Sequence, residues 1–202
     1  MNNKVAISGK LATEPVFGHQ LKDEAFYDCK VQVERLSGAF DTLPVRISER
    51  LIFEKGLHIG DTINIVGQLR SFNKIVDGNS KLILTIFVQE ILDEISKQTN
   101  EIHLSGYLCK PTNYRLTPFN REIADLLIAV NRKHNKSDYI PCIAWGRNAK
   151  FVEQLKVGDK ISVCGRIQSR EYQKKISETE TKTMTAYEVS ISSLSIGELG
   201  EI

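Results

Sequence analysis

Val5-Ala6-Ile7-Ser8-Gly9-Lys10-Leu11 returns as Ile102-His103-Leu104-Ser105-Gly106-Tyr107-Leu108, with Leu104 standing 97 residues after Ile7. The register holds downstream. Asp28 matches Asp125, Val33-Glu34-Arg35 matches Val130-Asn131-Arg132, and Asp41-Thr42-Leu43-Pro44 matches Asp138-Tyr139-Ile140-Pro141. After one inserted residue, Ile59-Gly60-Asp61-Thr62-Ile63 matches Val157-Gly158-Asp159-Lys160-Ile161, and Val66-Gly67-Gln68-Leu69-Arg70-Ser71 matches Cys164-Gly165-Arg166-Ile167-Gln168-Ser169. A period of about a hundred residues is too long for a solenoid unit and suits a small domain copied once. Two domains are expected, 1–96 and 97–202, joined by the short polar stretch 93–100 that should hold them as a defined pair.

Within each copy the apolar pattern is that of short strands. In the second copy strands are expected at 101–108, 123–131, 139–145, 160–170 and 184–193, with a turn or two of helix at 147–155 and a polar stretch at 171–183. The first copy gives the same order, with strands near 4–11, 25–35, 42–48, 61–71 and 81–91 and a helix near 49–56. Five short strands with one helix between the third and fourth make an all-β domain of the OB plan, a small Greek-key barrel. Gly9, Gly67, Gly106 and Gly165 recur inside strands, where a barrel must bend sharply.

Composition bounds the function classes. The chain is 202 residues long, 41% hydrophobic and 26% charged, with no apolar run of the roughly 20 residues that a membrane span needs. No signal-peptide pattern opens it, and Cys29, Cys109, Cys142 and Cys164 are scattered, so a cytoplasmic, nucleoid-associated protein with reduced thiols is expected. His19, His58, His103 and His134 show no paired ligand spacing, so no metal, cofactor or catalytic role is expected. The net charge of +2 hides a split. Residues 1–100 hold 12 Lys/Arg against 13 Asp/Glu, and residues 101–202 hold 15 against 12. The second copy is the basic one.

That copy also carries the rings. Tyr139 and Trp145 lie an even number of residues apart, so both project from one strand face. Around them run Arg132, Lys133, His134, Lys136, Arg147 and Lys150, and further on come Arg166, Arg170, Tyr172, Lys174 and Lys175. Flat rings among cations suit a single-stranded nucleic acid, whose bases stack while its phosphates are tracked. Taken singly, each ring is more often barrel core or rim than a base platform, and Arg166 and Arg170 could be the wet face of a strand. Lys110 and Arg115 complete the candidate set.

The words of the second copy carry a resemblance. Leu104-Ser105-Gly106-Tyr107-Leu108 with Arg115 and Pro118, then Ala144-Trp145-Gly146-Arg147-Asn148-Ala149, then above all Gly158–Tyr172, resemble bacterial single-stranded DNA-binding proteins. The resemblance spans about 100–196, and reaches 3–92 through the repeat. It implies OB barrels that bind single-stranded DNA without sequence preference, with base platforms at Tyr139, Trp145 and Tyr172 and a weaker one at His134. The matching positions of the first copy read Thr42, Ser48, Lys74 and Ser37, with Phe40 and Phe72 only nearby. It also implies four barrels per assembly, hence a homodimer of this two-barrel chain, and a C-terminal acidic tail that Gly197–Ile202 imitates poorly. An accessory protein whose first barrel binds a protein, and a single-stranded RNA binder, remain alternatives.

Overall fold

The computed structural model of the chain describes residues 2–76, 78–94, 99–175 and 181–197, without the side chain of Lys174. The first copy folds as β1 (Asn3–Leu11), β2 (Val16–Leu21), β3 (Glu24–Glu34), β4 (Phe40–Ser48), α1 (Glu49–Lys55), β5 (Thr62–Val76) and β6 (Asn79–Leu92). The second repeats this as β7 (Asn100–Leu108), β8 (Asn113–Leu116), β9 (Glu122–Asn131), β10 (Ser137–Trp145), α2 (Arg147–Glu153), β11 (Lys160–Lys175) and β12 (Thr181–Ile196). Each copy is an OB barrel. Its first strand pairs with two neighbours at once: β1 with β5 and β3, β7 with β11 and β9, which closes the sheet on itself. The third and last strands meet in parallel, β4 with β6 and β10 with β12.

Strand alternation fills the two interiors. Val5, Ile7, Leu43, Ile47, Ile65 and Ile86 are buried in one barrel, and Ile102, Leu104, Ile128, Ile140, Ile161 and Val189 in the other. The strand glycines sit where backbones cross. A Cβ on Gly9 would collide with the carbonyl oxygen of Gln32, and one on Gly106 with that of Ala129. Each helix is only seven residues long and plugs a barrel end, with Leu51 buried from α1 and Ala149 and Val152 from α2. Ser48 Oγ accepts the Leu51 N–H to start α1, and Gly56 ends it at φ 56°. No described helix is long and apolar enough to cross a membrane. All four cysteines are free, and burial pushes the Cys29 thiol up to about 12 and that of Cys142 higher still.

Two expectations need correction. β2 and β8 are extra short strands, and most of their side chains are exposed, so they lack the alternation that marks a half-buried strand. Residues 171–175 belong to β11 rather than to a polar connection. There the hairpin stands clear of the barrel, Glu171 and Gln173 are exposed, and no apolar period betrays it. The proposed boundary at 96/97, half of the linker 93–100 and the last five residues lie outside the described residues.

The barrels meet along a pseudo-two-fold seam. β1 and β7 pair antiparallel, with Val5 opposite Ile102 and Asn3 opposite Leu104. The repeat then supplies the same bonds twice. Asp138 Oδ1 of the second barrel accepts the Ser71 N–H of the first at 2.7 Å, and Asp41 Oδ1 of the first accepts the Ser169 N–H of the second at 2.6 Å. Both aspartates are fully buried. The β5–β6 hairpin thus reaches over to β10, and the β11–β12 hairpin reaches over to β4.

Candidate nucleic-acid interface

Cross-strand register decides which expected residues share a face, because directly paired residues project to the same side of a sheet. Tyr139, Pro141, Ile143 and Trp145 alternate along β10. Ile143 pairs with Ser190 of β12, Ser190 with Arg166 of β11, and the hairpin continues outward through Gln168–Glu188, Arg170–Ala186 and Tyr172–Met184. Tyr139, Trp145, Arg166, Arg170 and Tyr172 therefore occupy one outer face. Their rings are accessible. Tyr139 is 46% and Trp145 39% exposed, against 0% for Ile140 and Ala144 on the other side of the same strand. Full burial of such a ring is favourable by about 1.5–3 kcal/mol, and since each is already more than half covered, a flat partner laid on either would gain a fraction of that.

The cations on this face are partly held. Arg166 Nη2 donates to Gln168 Oε1 at 3.4 Å, and Gln168 donates to Glu188 Oε1 at 2.9 Å. Arg170 lies over the Tyr172 ring at 5.9 Å, with its Nε 3.9 Å from Glu188 Oε1. Arg147, exposed, opens α2 beside Trp145. Lys174 pairs opposite Lys182 in the hairpin, and its side chain lies outside the described residues.

The loop after β9 behaves differently. Arg132 N–H donates to Lys136 O at 2.7 Å, and His134 and Asn135 turn the chain at positive φ, 63° and 54°. Lys133, His134 and Lys136 are exposed and line a cleft of about 680 Å³ at the seam, whose opposite wall is Asn3, Gln68 and Arg70 of the first barrel. Arg132 is drawn inward, its Nε 3.2 Å from buried Asp138 Oδ2. Arg35 makes the same approach to Asp41 in the first copy, with bonds of 2.7 and 2.5 Å, so this repeated pair builds the seam. Arg115 is spent on Asp125 at 2.9 Å, and Lys150 on Glu122 at 2.8 Å. Lys110 is exposed just past β7.

The two seam carboxylates differ. Burial raises Asp41 and its bonds from Arg35 and Ser169 outweigh that, leaving it below the ordinary carboxylate range. Burial raises Asp138 too, and there the Ser71 N–H and the Arg132 and Arg70 charges do not compensate, so it lies above that range.

The first barrel has its own arrangement on the equivalent face. Thr42 and Ser48 stand where Tyr139 and Trp145 stand in the second. Elsewhere on that face, Arg46 pairs across to Phe87, Gln68 to Phe87 and Phe72 to Ile83. Phe87 was missed from the sequence; its place depends on a parallel strand pairing some forty residues apart.

Residues 99–195 match the sequence model of the Single-strand binding protein family. The second barrel thus carries the match to that family. Single-stranded DNA-binding protein A of Bacillus subtilis is 36% identical over 81 residues, covering 37% of this chain and 47% of that protein. Single-stranded DNA-binding protein 3 of Streptococcus agalactiae is 33% identical over 81 residues, covering 37% of this chain and 59% of that protein. The chain thus spans about half the length of these curated relatives. Wild-type single-stranded DNA binding protein from Thermus aquaticus superposes with a TM-score of 0.76 at 22% identity, over 99% of this chain and 95% of that one. That likeness shows the same fold across both barrels.

Proposed function

We propose that this protein binds single-stranded DNA without strong base preference, through the outer face of its second barrel. The observation that carries the reading is the joint exposure of Tyr139 and Trp145 on the face that also holds Arg166, Arg170 and Tyr172. Bases stack on rings whatever their identity, and guanidinium groups displace the counterions of the phosphates. The names of the curated relatives agree. The role is that of a binder that protects or organises single strands during replication, recombination or repair, with no chemical step.

The domain division 1–96 and 97–202 belongs to the same proposal, the first unit being poor in platforms at the matching positions. So does a homodimer. The β1–β7 pairing already satisfies those strand edges within one chain, so a dimer would meet through the outer sheet face rather than through those edges.

The test is anisotropy of a labelled dT oligomer, with an rU oligomer and duplex DNA as competitors. Saturable binding that excess duplex does not displace supports the reading. Preference for rU would make RNA the ligand, and an absence of binding by the folded chain would remove the proposal.

A further inference from the structure

We propose that the first barrel docks a basic segment of a partner polypeptide, which lays an apolar side chain into the cleft between β3 and α1. This surface shares no residue with the proposed DNA face, so the two readings stand or fall separately.

The second barrel shows that the fold does not require an apolar surface here. β2 and β8 occupy the same place, and Phe17 pairs with Tyr27 as Tyr114 pairs with Ala124. α1 and α2 open at Glu49 and Arg147, so Ile52 stands where Lys150 does and Phe53 where Phe151 does. In the second barrel Lys150 reaches Glu122 at 2.8 Å, Tyr114 packs partly buried against the core, and Phe151 is 40% exposed. In the first, an isoleucine replaces that lysine, Phe17 is 59% exposed and Phe53 77%. The same backbone is satisfied by the polar version. Clustered rings left in water by one copy alone mark a contact surface.

The surface is also organised. The Phe17 ring meets Tyr27 edge-on at 6.0 Å, and Tyr27 Oη donates to Glu49 Oε1 at 3.0 Å, which ties β2, β3 and α1 together. Tyr27, Ile52 and Phe53 line a cleft of about 200 Å³ with the carboxylates of Glu14 and Glu49 at its rim. Pockets for whole small-molecule ligands run from about 300 Å³ upward, so this one suits a single anchoring side chain.

Charge selects the occupant. Glu14 is exposed and makes no ion pair among the described residues. Glu49 takes its bond from a neutral phenol and keeps its charge. The neighbouring cations of α1 are already used: Arg50 donates to both oxygens of Glu54 at 2.9 and 2.8 Å, and Lys55 is paired with Asp93. An acidic rim around an apolar floor repels a phosphate backbone and attracts Lys and Arg, whose stems and cations also lie well on exposed rings. At the position of Glu49 the second barrel has Arg147, so the attraction is particular to the first. An apolar anchor would supply the affinity and the rim charges the orientation.

The probe is a short labelled peptide with a central Leu-Phe pair flanked by Lys and Arg, titrated into the full chain by anisotropy. Two control peptides replace the Leu-Phe pair by Ser-Gly, or every Lys and Arg by Glu. The probe should bind saturably, and each control at least about tenfold more weakly, the size of one lost apolar anchor or of its rim charges. Glu49→Arg/Ile52→Lys places on the first barrel the residues that the second carries with the same fold. It should keep its melting temperature, lose at least about tenfold in probe affinity, and bind a dT oligomer unchanged. Phe53→Ser, at an already exposed position, should act in the same way. No saturable binding of the probe, equal binding of the Glu control, or undiminished binding by the folded variants overturns the proposal. A loss of dT affinity alongside that of the probe would make the patch part of the DNA surface and overturn it too. A mass that rises with concentration only in the unaltered chain, without probe binding, would make the occupant a second copy and overturn it likewise.

Discussion

At the scale of single residues, exposure separates a base platform from a core ring. Trp145, more than a third exposed, and half-buried Tyr172 are not barrel filling. Trp145→Ala and Tyr172→Ala should each weaken DNA binding by about 1–3 kcal/mol. Neither should approach the ~3–5 kcal/mol of stability that truncating a core ring costs. Oligomer titration beside thermal melting checks both, and a large fall in melting temperature at unchanged affinity would contradict the assignment. Arg166 and Arg170 carry a salt prediction. With about −0.7 in the log–log salt slope per single-strand phosphate contact, Arg166→Gln/Arg170→Gln should flatten the slope by roughly one to one and a half units. Weaker binding at an unchanged slope would mean that these arginines act otherwise. The shared face of Tyr139 and Trp145 was legible from their even spacing alone. The inward turn of Arg132 was not, because it answers a carboxylate whose burial depends on the other barrel.

At the scale of elements, the repeat made the main strands of each barrel legible, along with the glycines at their crossings. What escaped lacked a packing partner to impose a period: the exposed strands β2 and β8, and the outer β11–β12 hairpin. The seam escaped for another reason. Asp41 and Asp138 recur in sequence, and only the fold shows each reaching across to a serine N–H of the other copy. Asp41, held below the ordinary carboxylate range, contributes stability that is present above its unfolded value near 3.9. That contribution is lost as pH falls through the lower folded value. Asp41→Asn should cost about 1–3 kcal/mol at neutral pH, less than a fully buried pair because Arg35 is partly exposed, and the difference should shrink in acid. Asp138, held above the range, has the opposite sign: its ionisation costs stability as pH rises from the unfolded value through the folded one. Asp138→Asn should therefore cost less than Asp41→Asn at pH 7. Urea midpoints of both variants at neutral and acid pH check this, and equal losses at both pH values would contradict it.

At the scale of the whole molecule, one chain already contains a closed pair of barrels, with their first strands matched to each other rather than left open. Light scattering at micromolar concentration should give a mass of roughly twice the 22.8 kDa chain if a dimer forms through the outer face of that sheet. A monomer at every concentration would show that the seam alone completes the assembly. The lone indole of the chain lies on the second barrel's outer face and is placed to report on contact there. The most direct measurement is the fluorescence of Trp145 as unstructured poly-dT is added to the full chain. Saturable quenching that is reversed by raising salt is expected, since stacking brings the base onto the ring and the phosphates hold it there. Binding by anisotropy with unchanged Trp145 emission would place the DNA elsewhere and contradict the account.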